Sequence, residues 1–460
     1  MTGTWKRVRV LLANNYLINI LTFSLCASVT YLVALSYYDK EIKVGELFYL
    51  ILGLSFALVL LASYFAKNLK DLSTPVFVFL TTIFGLSLLN HLIWKHPFLN
   101  YGDAVPILQY IDNRTVFPRW LVGMVIINTV YWAVWKFPPF ISYFKTIPFL
   151  KFFSTIFMGI TSLLIVKKYG KNFSVILAVT NALWFLFLIG YNEYYPFIIS
   201  LYLLSLILIF DDSIVDNPQK SWLLCAFYSV LPLVYIGFAP ISAFVLIYLF
   251  VRYRQQLPKL ILTTIAVFFL TLNLTWGSNY PGFFKQLYID MNFGDQCLNI
   301  PKFMGKMADD TSIYFKTEYA LSSEHLKDLF YMVFFGGGVL GLLLLILSLC
   351  MAVFVLIRRR MFPFVRNWGK FALFIAIVLQ QLYYLVFLVP KLGVRADIDL
   401  FVFVYLTSSY FAGFILDRLL LRQSQNRAST IKAYTLSAML GYQLVIFFFL
   451  AVVGIPNSPL

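Results

Sequence analysis

The stretch Asn100-Tyr101-Gly102-Asp103-Ala104-Val105-Pro106 is a polar island between long apolar segments. Fourteen residues beyond it, Trp120–Trp135 is an apolar run bounded by Arg119 and by Lys136-Phe137-Pro138-Pro139. At 16 residues this run is short for a bilayer, which takes about 20 apolar residues to cross. Its Trp and Tyr content suits a membrane–water interface. The topology depends on whether it crosses. If it lies along the surface, every large basic cluster of the chain falls on one side. If it crosses, every cluster after it flips.

Of the 460 residues, 61% are hydrophobic and 12% charged, with a mean hydropathy of +0.82. A soluble domain carries about 25% charged residues, so the solvent expected for most of this chain is lipid. The expectation is an all-α, polytopic transmembrane protein forming a single transmembrane domain over residues 1–460. Spans are predicted near 16–37, 47–66, 75–94, 147–166, 173–190, 194–211, 222–236, 239–251, 260–276, 329–357, 370–390, 398–416 and 433–454. The 30 apolar residues about Gly237 and Pro240 are long for one span and short for two. The net charge of +16 does not point to nucleic acid, because basic residues of membrane proteins gather in cytoplasmic loops.

Those clusters orient the chain. Lys6/Arg7/Arg9, Lys67/Lys70, Lys167/Lys168/Lys171, Arg252/Arg254/Lys259, Arg358/Arg359/Arg360 and Arg418/Arg422/Arg427 share the cytoplasmic face if Trp120–Trp135 is a surface helix. The N-terminus is then cytoplasmic, and the apolar run after Arg9 reads as a first span rather than a cleaved signal. The localisation expected is a cell membrane, plasma or inner, with multiple passes. The opposite face carries two large loops, 95–146 and 278–328, and two short stretches, Gly190–Tyr194 and Lys391–Asp397. The loop 278–328 has five lysines against seven carboxylates, a balance suited to an extracytoplasmic segment.

The chemistry-bearing residues cluster in these outer stretches. Asp103 is the first candidate, although Gly-Asp-Ala-Val-Pro also fits a helix N-cap with Pro106 in the first turn. Glu193, in Gly190-Tyr191-Asn192-Glu193-Tyr194-Tyr195, is either an ordinary turn carboxylate or an acidic group at the mouth of two buried helices. Val394-Arg395-Ala396-Asp397-Ile398-Asp399 leads into a span. A helix N-terminus accounts for Asp397 and accounts less well for Asp399, which already lies in apolar sequence. His325 follows Ser322 and Ser323, a capping-type helix start. The sequon Asn113-Arg114-Thr115 faces outward. The four cysteines are scattered, and no metal-ligand spacing, phosphate loop or Ser/His/Asp set is visible.

In this order, the outer stretches resemble those of GT-C-fold membrane glycosyltransferases, the superfamily of the protein O-mannosyltransferases and aminoarabinose transferases. Tyr101-Gly102-Asp103 sits where that fold has its first-loop catalytic Asp, and Trp120–Trp135 with Pro138-Pro139 matches its juxtamembrane helix. Gly190–Tyr195 is similar to the Gly-Tyr-x-Glu-x-Tyr turn of a bacterial GT-C-like branch. Leu321–Asp328 is similar to its Leu-Ser-x-x-His-Leu-x-Asp stretch. Asp397-Ile398-Asp399-Leu400-Phe401 is similar to its Asp-Trp-Asp-Leu-Phe stretch, with Ile398 in place of Trp.

The resemblance implies about thirteen transmembrane helices with juxtamembrane surface helices. It also implies transfer of a sugar from a polyprenyl-phosphate-linked donor to a glycan, lipid or protein acceptor at the extracytoplasmic face. Asp103 would be the general base. Tyr191, Glu193, Arg119, His325, Lys391, Arg395, Asp397 and Asp399 would contact substrate. The leaving phosphate is already charged, so a divalent metal is compatible with the reaction and not required by it. A lipid-linked sugar flippase and a non-catalytic scaffold of a glycan-assembly complex are the competing expectations.

Overall fold

The computed structural model describes residues 72–93, 121–135, 149–181, 184, 195–293, 368–387 and 402–420, with short pieces and single positions at 322–350 and 424–439. Every regular element among them is helical. In chain order these are α1 (Ser73–Ile93), α2 (Leu121–Trp135), α3 (Phe149–Tyr169), α4 (Phe173–Val179), α5 (Tyr195–Phe210) and α6 (Asp212–Val215). After these come α7 (Ser221–Val234), α8 (Ala239–Arg252), α9 (Leu257–Thr275), α10 (Tyr280–Phe293), α11 (Trp368–Phe387) and α12 (Val402–Leu420).

Among the described residues, two apolar helical segments are long enough to cross a membrane, Phe152–Tyr169 and Arg254–Thr275. They fall on the expected spans 147–166 and 260–276. The other apolar helices among the described residues are shorter, including Leu121–Tyr131, Tyr195–Phe210, Ile236–Arg252 and Gly369–Leu385. The expected spans at 16–37, 47–66, 329–357 and 433–454 lie wholly or mostly outside the described residues.

The segment 222–251 is a helical hairpin. Its break is local in origin. Tyr235 is extended (φ −155°, ψ 125°), a single 3-10 turn covers Ile236–Phe238, and Pro240 stands in the first turn of α8, where its missing N–H costs nothing. A Cβ at Gly237 would lie 2.3 Å from the Tyr235 ring, so a side chain there would have to displace that ring. Each arm has 14 residues, about 21 Å at 1.5 Å per residue.

Contacts set the helix directions. Tyr202 packs on Phe403 and Phe210 on Phe411 and Phe414, so α5 and α12 run parallel. Helix α4 runs antiparallel to α12, with Asn181 Nδ2 donating to Ser409 Oγ (3.0 Å) and Phe173 N donating to Asp417 Oδ2 (2.8 Å). Helix α11 is likewise antiparallel to α5, with Lys370 reaching Asp212 and Gln381 reaching Tyr202.

The interior holds hydroxyls and amides as well as aliphatic groups. Tyr202 Oη and Thr407 Oγ1 are 2.6 Å apart, Gln381 Nε2 donates to Tyr202 Oη (3.1 Å), and Trp184 Nε1 donates to Ser162 Oγ (2.9 Å). The exterior of several helices is apolar instead. Leu274 and Leu262 on α9 are 77% and 68% exposed, and Ile247, Val251, Ile160 and Leu164 are also exposed. Hydroxyl and amide groups within a largely apolar interior, with aliphatic residues also outside, are compatible with a lipid surround.

Helix α2 has 15 residues and covers the region expected to be a surface helix. Leu121, Met124 and Ile127 are buried while Ile126 is exposed. One stripe thus faces the bundle, against α7 and α9.

Candidate functional site

Asp103, Arg119, Tyr191, Glu193, His325, Lys391, Arg395, Asp397 and Asp399 all lie outside the described residues. Described residues close in sequence to three of them, Arg119, Glu193 and Asp399, converge. Tyr195, two residues after Glu193, packs edge-on against Tyr235 with ring centroids 6.4 Å apart. Phe403, four residues after Asp399, stacks on Tyr235 at 6.0 Å. Leu121, two residues after Arg119, shares a buried cluster with Leu233, Leu272 and Phe283, against which Trp276 and Tyr280 pack. Leu233 in the last turn of α7 and Tyr235 just after its end are two residues apart. The flanks of the stretches carrying Arg119, Glu193 and Asp399, and the start of the 278–328 loop, therefore meet at one end of the bundle.

Local sequence explains part of this convergence. Gly277, with φ +92°, ends α9, and its N–H donates to Asn273 O at 3.0 Å. This is a left-handed helix stop that glycine adopts without strain. Asn279 then starts α10, its Oδ1 accepting from Gly282 N at 3.0 Å, as an N-cap does. The chain thus turns at Trp276–Asn279 and sends Phe283 back into the cluster with Leu121.

The other end of the bundle carries the charges. The turn Asp211-Asp212-Ser213-Ile214-Val215-Asp216 forms the short helix α6, and Asp211 Oδ1 caps it by accepting from Ser213 N (2.9 Å) and Ser213 Oγ (2.7 Å). Around it stand cations from three long helices. Lys370 Nζ pairs with Asp212 and lies 3.4 Å from Asp216 Oδ1. Arg418 Nη2 lies 3.3 Å from Asp212 Oδ2, and Arg252 Nη2 lies 3.0 Å from Asp216 Oδ1. Lys432 pairs with Asp417.

Helix dipoles account for the pairings. Arg252 and Arg418 sit in the last turns of α8 and α12, where a cation is favoured. Lys370 sits in the first turn of α11, where a cation is disfavoured, and it is nearly buried; the carboxylates of α6 neutralise it there. Half-burial works against the charge of Asp212, but the hydrogen bonds and charges of Lys370 and Arg418 outweigh it and hold the carboxyl below its ordinary value.

Beside this lattice is a cleft of about 590 Å³, within the range of small-molecule sites. Its rim has Lys171, Arg418 and Lys432 with Asp211, Asp212 and Asp417, and Ile207, Phe210, Tyr410 and Phe414 supply an apolar floor. The turns holding Lys171, Arg252 and Arg418 share this end. The sequence reading passed over Asp211, Asp212, Asp216, Lys370, Asp417 and Lys432. One signal for them was present: a carboxylate-rich turn on a face whose other turns are basic. Among the described residues, no three His, Cys, Asp or Glu side chains are placed to share a metal ion.

No protein-family model matches the chain, and neither a curated protein nor a solved structure matches it.

Proposed function

We propose that this chain is a membrane-embedded, multi-pass glycosyltransferase of GT-C type. It moves a sugar from a polyprenyl-phosphate-linked donor to an acceptor at the extracytoplasmic face. The observation that carries the reading is the meeting of Tyr195, Phe403 and Tyr235, with Leu121 and Leu233 in the adjoining cluster. These residues flank the stretches that supply Glu193, Asp399 and Arg119. The charged lattice occupies the other end, as positive-inside orientation asks of a cytoplasmic face.

In this reading the donor's prenyl tail stays in the bilayer while its phosphate and sugar stand at the surface. The acceptor hydroxyl attacks the anomeric carbon, its proton passes to the Asp103 carboxylate, and the bond from that carbon to the phosphate oxygen breaks. The prenyl phosphate leaves with the electron pair, and the configuration at the anomeric carbon inverts. Arg119, Lys391 or Arg395 balances the phosphate charge, while Tyr191, Glu193, His325, Asp397 and Asp399 contact the sugar or orient the base. General-base assistance is worth about 10²–10⁴-fold.

The test is turnover of radiolabelled polyprenyl-phosphate hexoses and pentoses by the full chain in vesicles. Asp103→Asn retains the capping ability of the side chain, because Asn caps about as well as Asp, and removes the base. The variant should bind donor and unfold at the wild-type temperature, with turnover lower by about two orders of magnitude. Full activity in this variant would make Asp103 a helix cap. Movement of the labelled donor across the vesicle membrane without transfer would make the protein a carrier.

A further inference from the structure

The charged cleft is at the opposite end of the bundle from the proposed transfer site, and the transfer chemistry does not use it. Two of its pairings close on themselves: Arg418 with Asp212, and Lys432 with Asp417. Among the described residues, Lys171 and Asp211 line the same cleft and neither has an ion-pair partner. Asp211 spends one oxygen on capping α6 and keeps the other lone pairs. The cleft therefore has one cation and one carboxylate in excess of its internal pairs, above a floor of Ile207, Phe210 and Phe414.

We propose that this cleft binds the phosphoethanolamine headgroup of a zwitterionic phospholipid, with the phosphate on Lys171 and the primary ammonium on Asp211. A purely anionic group would meet Lys171 but would also face the carboxylates of Asp211, Asp212 and Asp417. A quaternary ammonium has no N–H to donate to Asp211, whereas a primary ammonium has three. The apolar floor receives the glycerol and the first acyl carbons, which favours a lipid over a free phosphoamine. Basic recesses between membrane helices are known as headgroup sites; the unpaired carboxylate here selects the amine. The inference rests on the membrane reading of the chain and not on glycosyl transfer.

The test uses the full chain in detergent micelles, titrated with dioleoyl phosphatidylethanolamine, phosphatidylglycerol or phosphatidylcholine and with free phosphoethanolamine. Binding is followed by native mass spectrometry and by the shift of the unfolding temperature. Phosphatidylethanolamine should bind tightest and raise the unfolding temperature most. Lys171→Gln and Asp211→Asn should each weaken it by roughly tenfold, the worth of one charge-assisted hydrogen bond. Asn preserves the cap on α6, so the second loss reports charge. Lys259→Gln, an exposed change on α9, should leave binding unaltered.

Equal binding of phosphatidylglycerol would overturn amine recognition, and an equal effect of free phosphoethanolamine would overturn the lipid assignment. Wild-type binding by both cleft variants would remove the site. A chain that stays in the aqueous phase when expressed without detergent would sink the membrane reading itself, a separate result from any of these.

Discussion

Gly413 of α12 lies directly against the backbone of Ser174 in α4: a Cβ at position 413 would fall 2.5 Å from Ser174 Cα and 2.7 Å from Ser174 N. Ser409, Gly413 and Asp417 are spaced four apart on one stripe of α12. They meet Asn181, Ser174 and Phe173 in turn. The two backbones can approach this closely because the middle residue of the stripe has no side chain.

Gly413→Ala tests that contact. In a free helix, alanine in place of glycine stabilises by about 0.5–1 kcal/mol. Here the colliding atoms are backbone and cannot rotate away, so the expected net change is a loss of about 1–3 kcal/mol and a lower unfolding temperature in detergent. Gly85→Ala on α1 is the control, because nothing lies within 4 Å of the added Cβ. That variant should match or slightly exceed the wild type.

The Asp212 carboxyl is held below its ordinary pKa by Lys370 and Arg418 against the effect of its half-burial. The unfolded chain therefore takes up this proton at a higher pH than the folded chain. The ion-pair stabilisation is fully present above the ordinary carboxylate range and is lost as pH falls through the lowered value. Unfolding temperatures measured between neutral pH and roughly pH 3 should fall less steeply in Asp212→Asn than in the wild type. Parallel curves would show that Asp212 contributes nothing to acid stability.

Lys370→Met removes the nearly buried ammonium that joins α11 to Asp212 and Asp216. A severed buried pair costs about 3–5 kcal/mol, and solvent at the half-exposed carboxylates reduces this to about 1–2 kcal/mol. Thermal unfolding of the purified protein reads the loss, and additional salt should weaken the wild type more than the variant.

Orientation is checked by single cysteines in a background free of the native ones. Cysteines at Asn113 and Thr311 should react with an impermeant maleimide added to intact cells, and one at Ser424 should react only after lysis. A residue just after Trp135 that labels only after lysis would remove the surface-helix reading and the outer-face site with it.

Arg395→Lys retains the charge beside Asp397 and loses the planar two-pronged donor. Under the proposed glycosyl transfer, the donor's KM should rise by roughly tenfold, the worth of one charged hydrogen bond, with the unfolding temperature unchanged. An unaltered KM in Arg395→Ala would move the phosphate contact to Arg119 or Lys391.

Composition alone set the expectation of an apolar surround for these helices, because 12% charged residues is about half of what a soluble domain carries. Local signals also marked the region about Gly237 and Pro240, leaving one span or two open, and grouped Lys171, Arg252 and Arg418 on one face. Gly237 and Pro240 act on their own neighbours, and charge asymmetry is written in linear order. Tertiary structure decided which helix ends meet. Asp212 and Lys370 are 158 residues apart, and Phe173 and Asp417 are 244 apart. No periodicity links such pairs; they follow from α11 running antiparallel to α5 and from α4 packing antiparallel to α12 against the missing side chain at Gly413. The same packing brings Tyr195 and Phe403 onto one ring, Tyr235, although the motifs beside them are short and far apart in the chain.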